Sequence, residues 1–335
     1  MKLPLVIGHR GVVNIAPENS LSGFSQAINL GLDGVELDIH LTRDNKLVVL
    51  HDTKLKLFSG KANFIKDFSY QELKRYDLSE KFRKTRKITY QKYPYEMIFS
   101  IELSVLKSDC FYLNIYEKIS QKRIIYFLHK KGQYFDRVRR VIFPKITGDR
   151  LASIELRITR EEVFHVKNVN NPNISRESIP LFEDVLNMIK EKIFINIEIK
   201  EGEIHYPGII CALMNELKHY SRDMILISSF DKKTVISVKE KYPDVKVSLL
   251  INQLLFYERN MSRLDGVNPY YALVSYRKIS RICASKKTVF VWTVNNEEDM
   301  IQYLLSGVDG IITDYPQVLK KLKHAFQKVL NTIFI

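Results

Sequence analysis

The stretch "GVELDIHLTRDNKLVVLHD", residues 34–52, decides how the chain is read. Glu36 and Asp38 stand two apart in an apolar, strand-like run, so both point to one face while Leu37 points to the other. Thr42-Arg43-Asp44-Asn45 has turn chemistry. A reversal there as a hairpin would make Glu36 and His51 cross-strand neighbours. With parallel strands instead, both would still lie near strand ends. Either way a histidine and two carboxylates converge.

Outward from this stretch, short apolar strands alternate with helical segments. Candidate parallel strands are residues 5–8, 34–39, 47–50, 194–199, 224–228, 246–250, 288–293 and 310–313. "ENSLSGFSQAINLG" places Leu21, Phe24, Ala27 and Ile28 on one helical face and ends at Gly31; "IPLFEDVLNMIKE", "KKTVISVKEKYP" and "NEEDMIQYLLSG" have the same pattern. Alternating β and α over this length predicts an α/β fold, a (β/α)8 TIM-type barrel. "DGVNPYY" would be a ninth strand, so the count does not close neatly.

The charge is uneven. The chain of 335 residues carries a formal net charge of +14. Residues 81–178 hold 21 Lys and Arg against 10 Asp and Glu, a net +11, which leaves +3 for the remainder. The same stretch has 14 aromatics in short strand-like runs ("MIFSIEL", "FYLNIYEKI", "RIIYFLH", "RRVIFPKI", "SIELRIT") broken by charged turns. It reads as a large, β-rich insertion after the third strand. The expected organisation is a barrel from 1–80 and 179–335, with 81–178 a basic, aromatic-rich inserted subdomain.

Cys110, Cys211 and Cys283 are far apart and odd in number, which argues against a disulfide framework or a zinc site. Strand-like sequence from Leu3 leaves no room for a signal peptide, and no apolar run reaches the ~18 residues of a membrane span. A cytoplasmic location is expected. The positive charge suits an anionic partner or substrate.

Barrel enzymes carry their chemistry at the C-terminal ends of the strands. There the sequence places His9-Arg10, Glu36 with Asp38, His51-Asp52, Glu198 with Lys200, Trp292-Thr293 and Thr313-Asp314. Three carboxylates facing a barrel interior repel one another unless a cation sits between them, and oxygen-only ligands suit Ca²⁺ or Mg²⁺. The structural alternative is an interior salt-bridge network of Glu36 and Asp38 with Arg10 and Lys200. Two imidazoles, a hard cation and one or two basic side chains fit cleavage of a phosphodiester.

At this point the sequence resembles the glycerophosphodiester phosphodiesterase family. The matching run is "GHRG" followed by "APENSLSGFSQAINLGLDGVELDIHLTRDNKLVVLHD". Further matches are "IPLFEDVL" with "INIEIK", then "ISSFD", "VWTVN" and "GVDGIITDYP". The resemblance implies a phosphodiesterase barrel with His9 and His51 as acid and base. It also implies Glu36, Asp38 and Glu198 as ligands of a divalent cation, Arg10 and Lys200 as phosphate contacts, and Trp292 as an aromatic at the mouth. It further implies attack on phosphorus by a neighbouring hydroxyl of the substrate, with a cyclic phosphate as intermediate or product. Glu18 and Asn19 match a motif near the site, though a helix N-terminus capped by Asn19 or Ser20 explains them equally well. The chain departs from the family where an arginine and a threonine usually follow His51-Asp52; here the run is "TKLKLFSG", with Leu57 and Phe58. The insertion is also far longer than usual.

The expected activity is hydrolysis of a small phosphodiester such as glycerophosphocholine to an alcohol and glycerol phosphate. Two alternatives stand beside it. One is a phospholipase D-like enzyme or cyclising lyase acting on a lysophospholipid or a phosphodiester polymer. The other is an inactive barrel acting as an anion-binding module. The insertion has no named nucleic-acid motif, so nucleic acid is not an expected partner. In "VLKKLKHAFQKVLNTIFI", Leu319, Leu322, Phe326, Val329 and Ile333 share one helical face. That face is read as packing on the barrel, with a membrane-surface contact as the alternative.

Overall fold

The structure is a computed structural model. It describes residues 3–56, 62–85, 87–91, 95–107, 110–117, 122–129, 150–160, 163–167, 175–252, 263–274, 279, 282–283 and 285–333. Eight parallel strands close into a barrel: β1 (Leu5–Gly8), β2 (Gly34–Leu41), β4 (Phe194–Ile199), β5 (Ile225–Ser229), β6 (Val247–Ile251), β7 (Gly266–Pro269), β8 (Thr288–Val291) and β9 (Gly310–Thr313). The ring closes where Ile7 and Gly8 of β1 register with Gly34 and Val35 of β2. A side chain at Gly34 would have its Cβ 2.6 Å from the Phe194 carbonyl oxygen and 2.8 Å from Ile7, so this seam admits only glycine.

The period-two pattern of the barrel strands sorts two kinds of core. On β2 and β4, Val35, Leu37, Ile39, Ile195, Ile197 and Ile199 are buried in the main core, which also holds residues of the surrounding helices. Among those helices are α1 (Leu21–Asn29), α2 (Phe182–Ile189), α3 (Ile209–Glu216) and α6 (Pro316–Ile333). In α1 the Ser20 hydroxyl accepts from the Gly23 N–H, Phe24 and Ala27 are buried, and Gly31 ends the helix with φ +58°. The other face of β2 and β4 turns into the ring and carries Glu36, Asp38, Asn196 and Glu198, all buried. Ile7, Leu226, Phe290 and Ile312 form a separate cluster.

The strand expected over 47–50 differs from the reading in two ways. Leu47–Val49 (β3) is antiparallel to β2, so it is an arm on the ring rather than one of its staves. The vacancy in the count is filled by β7, from "DGVNPYY". The hairpin register is also one residue away from a Glu36–His51 pair, because Ile39 faces Val49 and the Leu50 N–H donates to the Asp38 carbonyl at 3.0 Å. Asn45 is the cause. It takes the left-handed conformation (φ +56°), and the turn closes from Thr42 to Lys46 around three residues instead of two.

Within 81–178, Tyr95–Lys107 pairs antiparallel with Cys110–Glu117 and with Arg150–Arg160, and Lys122–His129 joins the edge. Lys87–Gln91 pairs with Val163–Lys167. "RRVIFPKI" (139–146) lies outside the described residues, as do Leu57 and Phe58. In α6, Leu319, Leu322 and Phe326 are buried against the barrel core; the side chains of Val329 and Ile333 lie outside the described set. Among the described residues no helix is long and apolar enough to cross a membrane.

Candidate active site

Asp38 and Glu198 are direct neighbours across β2 and β4, and Glu36 lies one inward position earlier, opposite Asn196. Glu36, Asp38 and Glu198 are 4%, 1% and 7% exposed, and one carboxylate oxygen of each lies within 4.8 Å of the others. Burial pushes the Glu36 carboxyl well above the usual range, with Asp38 and Glu198 adding repulsion. Burial, then Asp38, push Glu198 up to about 7. Asp38 is equally desolvated, but Lys200 and Arg10 outweigh that and hold it well below the usual range.

The salt-bridge network considered from sequence is present. Lys200 Nζ lies 2.9 Å from Asp38 Oδ1 and 2.7 Å from Glu198 Oε1. Arg10 Nε lies 3.4 Å from Asp38 Oδ2, and its Nη1 donates to Glu18 Oε2 at 2.8 Å. The Arg10 backbone, at φ +51°, aims its N–H at Glu36 Oε2, 2.9 Å away. Yet the network does not balance. Three buried carboxylates face two fixed cations, and their mutual repulsion adds to the burial that raises Glu36 and Glu198. A divalent cation held by these residues would reverse the sign of the imbalance and suit an anionic ligand. The all-oxygen donor set and the convergence of its atoms fit a hard divalent cation.

Glu18 and Asn19 are both drawn in. Asn19 (φ +55°, fully buried) donates from Nδ2 to Asp38 Oδ2 at 2.8 Å, while the helix cap falls to Ser20. Thus Asn19 orients the most buried carboxylate.

His9 and His51 each have Nδ1 beside a carboxylate. His9 Nδ1 is 2.7 Å from Asp314 Oδ1, and Asp314 Oδ2 accepts from Asn295 Nδ2 at 2.6 Å. His51 Nδ1 is 3.2 Å from Asp52 Oδ1. Burial pushes Asp314 up, but the hydrogen bond and charge of His9, with Asn295 and Arg10, together lower it; hydrogen bonding from His51 lowers Asp52. An Nδ1–H donated to a carboxylate leaves Nε2 to exchange protons with a bound molecule. The reading from sequence placed Asp314 at a strand end but gave neither it nor Asn295 a role. Trp292 donates its indole N–H to the Asn268 carbonyl at 2.6 Å, and its ring meets Phe230 and Tyr270.

An open cleft of about 890 Å³ runs along this constellation, lined by His51, Asp52, Glu198, Lys200 and Phe230 among others. The family model described as "Glycerophosphoryl diester phosphodiesterase family" matches residues 9–318. The chain belongs to that family. As a member it is a phosphoric diester hydrolase. It is 28% identical over 323 residues to a glycerophosphodiester phosphodiesterase of Caldanaerobacter subterraneus, covering 95% of this chain and 97% of the relative. It is 25% identical over 327 residues to a glycerophosphodiester phosphodiesterase of Bacillus altitudinis, covering 95% and 97%. Among solved structures, an Oleispira antarctica phosphodiesterase in complex with the product sn-glycerol-3-phosphate is similar with a TM-score of 0.61, 21% identity and 97% of each chain covered. At that identity the likeness speaks for the barrel fold of the family.

The raised carboxyls make a pH-dependent prediction. Without a cation the folded phosphodiesterase holds protons on Glu36 and Glu198 that the unfolded chain releases in the ordinary carboxylate range. That stabilisation is complete at low pH and is lost as pH rises to about 7 at Glu198. Asp38 acts in the opposite sense, but below the ordinary range. The melting temperature of chelator-treated protein should therefore fall across this window, while added Mg²⁺ or Ca²⁺ should raise it more at pH 8 than at pH 5. A cation-induced shift of equal size at both pH values would overturn the assignment of the surplus charge to these carboxyls.

Proposed function

We propose that the chain hydrolyses glycerophosphodiesters to an alcohol and glycerol phosphate, with His9 and His51 as the acid and base. Glu36, Asp38 and Glu198 hold a divalent cation, Mg²⁺ or Ca²⁺, and Arg10 and Lys200 contact the phosphate. The observation that carries this reading is the charge imbalance of the buried carboxylates, flanked by two imidazoles whose Nδ1 atoms are held by carboxylates. A bound divalent cation would neutralise charge on the phosphoryl oxygens.

The chain's own residues do the rest. Arg10 and Lys200, fixed by Asp38, Glu18 and Glu198, present their remaining donors to phosphate oxygens. One imidazole takes the proton of the attacking hydroxyl at Nε2 as the new P–O bond forms. The other gives a proton to the departing alcohol oxygen as the old P–O bond breaks. If the attacking group is the substrate's own neighbouring hydroxyl, a cyclic phosphate forms first, and water then opens it with the roles exchanged. Trp292 and Phe230 provide an aromatic flank for the organic part of the substrate. The product sn-glycerol-3-phosphate bound to the Oleispira antarctica phosphodiesterase supports this choice of product.

The test is glycerophosphocholine offered with Mg²⁺ or Ca²⁺ and, separately, with chelator, followed by phosphorus NMR. Release of choline and glycerol phosphate only with the cation is expected. No conversion under either condition would reject the reading.

A further inference from the structure

Single exposed apolar side chains are ordinary on a protein surface; a grouping of them is not. Among the described residues three large apolar side chains are exposed: Ile15 at 43%, Ile204 at 73% and Phe230 at 43%. All three come after the C-terminal ends of staves, β1, β4 and β5. Those staves, with β2, are successive in the ring, so the three residues lie along one half of the rim around the catalytic mouth. Ile204 and Phe230 belong to one contiguous patch. The Glu203 N–H donates to Thr234 Oγ1 at 2.8 Å, which ties the short helix Gly202–His205 to the helix Lys232–Lys241 that follows Phe230. On its other side His205 meets the Phe64 ring, with centroids 4.8 Å apart, and Lys54 Nζ lies 4.2 Å over that ring. Phe230 packs edge-on against Trp292 at 5.6 Å, and Lys54, Phe64 and Phe230 all line the cleft.

The patch also carries lysines. Lys232 and Lys233 occupy the first turn of their helix, where the macrodipole favours carboxylates instead. Neither forms an ion pair among the described residues, and Lys54 contacts a ring rather than a carboxylate. The carboxylates beside them are bound locally. Asp231 accepts from the Lys233 and Thr234 N–H groups, Glu203 from the Gly208 and Ile210 N–H groups, and Glu201 from the Thr53 hydroxyl. Exposed apolar side chains beside unpaired lysines match the layered chemistry of a lipid surface, anionic at the head groups and apolar beneath.

We propose that this rim docks the mouth of the barrel on an anionic lipid surface. Ile204 and Phe230 enter the boundary between head groups and acyl chains, Lys54, Lys232 and Lys233 meet the lipid phosphates, and the cleft opens onto the head-group layer. The docking goes beyond the proposed hydrolysis and does not depend on it.

The chain has one tryptophan, Trp292, and its contact with Phe230 makes it a reporter of this rim. The full chain is mixed with phosphatidylcholine vesicles prepared with and without phosphatidylglycerol, and binding is followed by co-sedimentation. A second set of vesicles carries bromine on the acyl chains, which quenches tryptophan fluorescence at short range. The expected result is binding that needs phosphatidylglycerol and weakens with salt, together with quenching of Trp292 by the brominated lipid. The variant Ile204→Ser, Lys232→Gln, Lys233→Gln should bind the anionic vesicles about tenfold more weakly, since it loses two surface lysines and one inserted side chain. Its fold is checked by circular dichroism, and Lys232→Arg, Lys233→Arg, which keeps the charge, should bind as the parent does. A parent that does not bind anionic vesicles would overturn the proposal. So would equal binding by the parent and the Gln variant. Binding without quenching would assign the contact to another face, such as α6 or residues 81–178, and overturn it too. A parent that is a dimer by light scattering, and that the Gln variant returns to monomer, would make a second copy the occupant and reject the lipid.

Discussion

Glu198→Ala is expected to abolish cation-supported hydrolysis, lowering turnover by roughly 10³ or more while leaving the barrel folded. Glu198 shares its register with Asp38 and helps make the one excess negative charge of the site. Without it, a dication loses one of its three oxygen ligands, and the buried carboxylates no longer outnumber Arg10 and Lys200. The fold should survive because the change removes a desolvated carboxyl that raises its neighbours' energy and deletes no apolar contact of the main core. The measurement is turnover of chelator-dialysed protein titrated with Mg²⁺ and Ca²⁺, alongside circular dichroism. Normal turnover of the dialysed variant would sink the assignment of the acidic trio as a cation site.

His9→Ala and His51→Ala should each reduce turnover by about 10²–10⁴, the range of a positioned acid or base. The loss should fall on turnover, with cation affinity near that of the parent, since neither imidazole belongs to the acidic trio. The double variant should be scarcely worse than the poorer single one, because two groups that share one proton relay are not additive. Near-normal turnover in either single variant removes that histidine from the chemistry.

Much of this site is legible in residues 34–52 and 194–200, because a strand's period of two is local information. It shows that Glu36 and Asp38 share a face and that Glu198 and Lys200 do, with no knowledge of what lies opposite. The barrel itself follows from the same alternation. What escaped depends on backbone details and distant pairs. The left-handed turn of Asn45 moves the hairpin register by one residue, which turn composition alone does not reveal. Leu47–Val49 has the aliphatic composition of a barrel stave, and only its antiparallel pairing with β2 excludes it from the ring. Asp314 meets His9 because β1 and β9 are neighbours, although the two are 305 positions apart, and Asn295, just beyond the adjacent β8, meets Asp314 in turn. Asn19 resembles a helix cap from its neighbours and serves instead to orient Asp38. The long insertion announces itself by charge, and its Tyr95–Lys107, Cys110–Glu117 and Lys122–His129 strands match apolar runs visible in the sequence.

The antiparallel arm has a consequence for how the molecule comes apart. His9, Arg10 and the acidic trio are attached to staves that are bonded on both sides, so displacing them requires opening the ring. His51 follows β3, which is bonded to the ring along β2, puts Leu47 and Val49 into the main core, and turns Val48 to a small second cluster with Leu50, Leu55, Ile65, Phe68, Leu73, Leu78 and Ile179. An arm outside the closed ring is expected to open at a lower free energy than the ring. Mild denaturant should then silence the enzyme while the ring still protects its amide hydrogens from exchange. Inactivation and unfolding would be two transitions, with the first confined to one half of the acid–base pair.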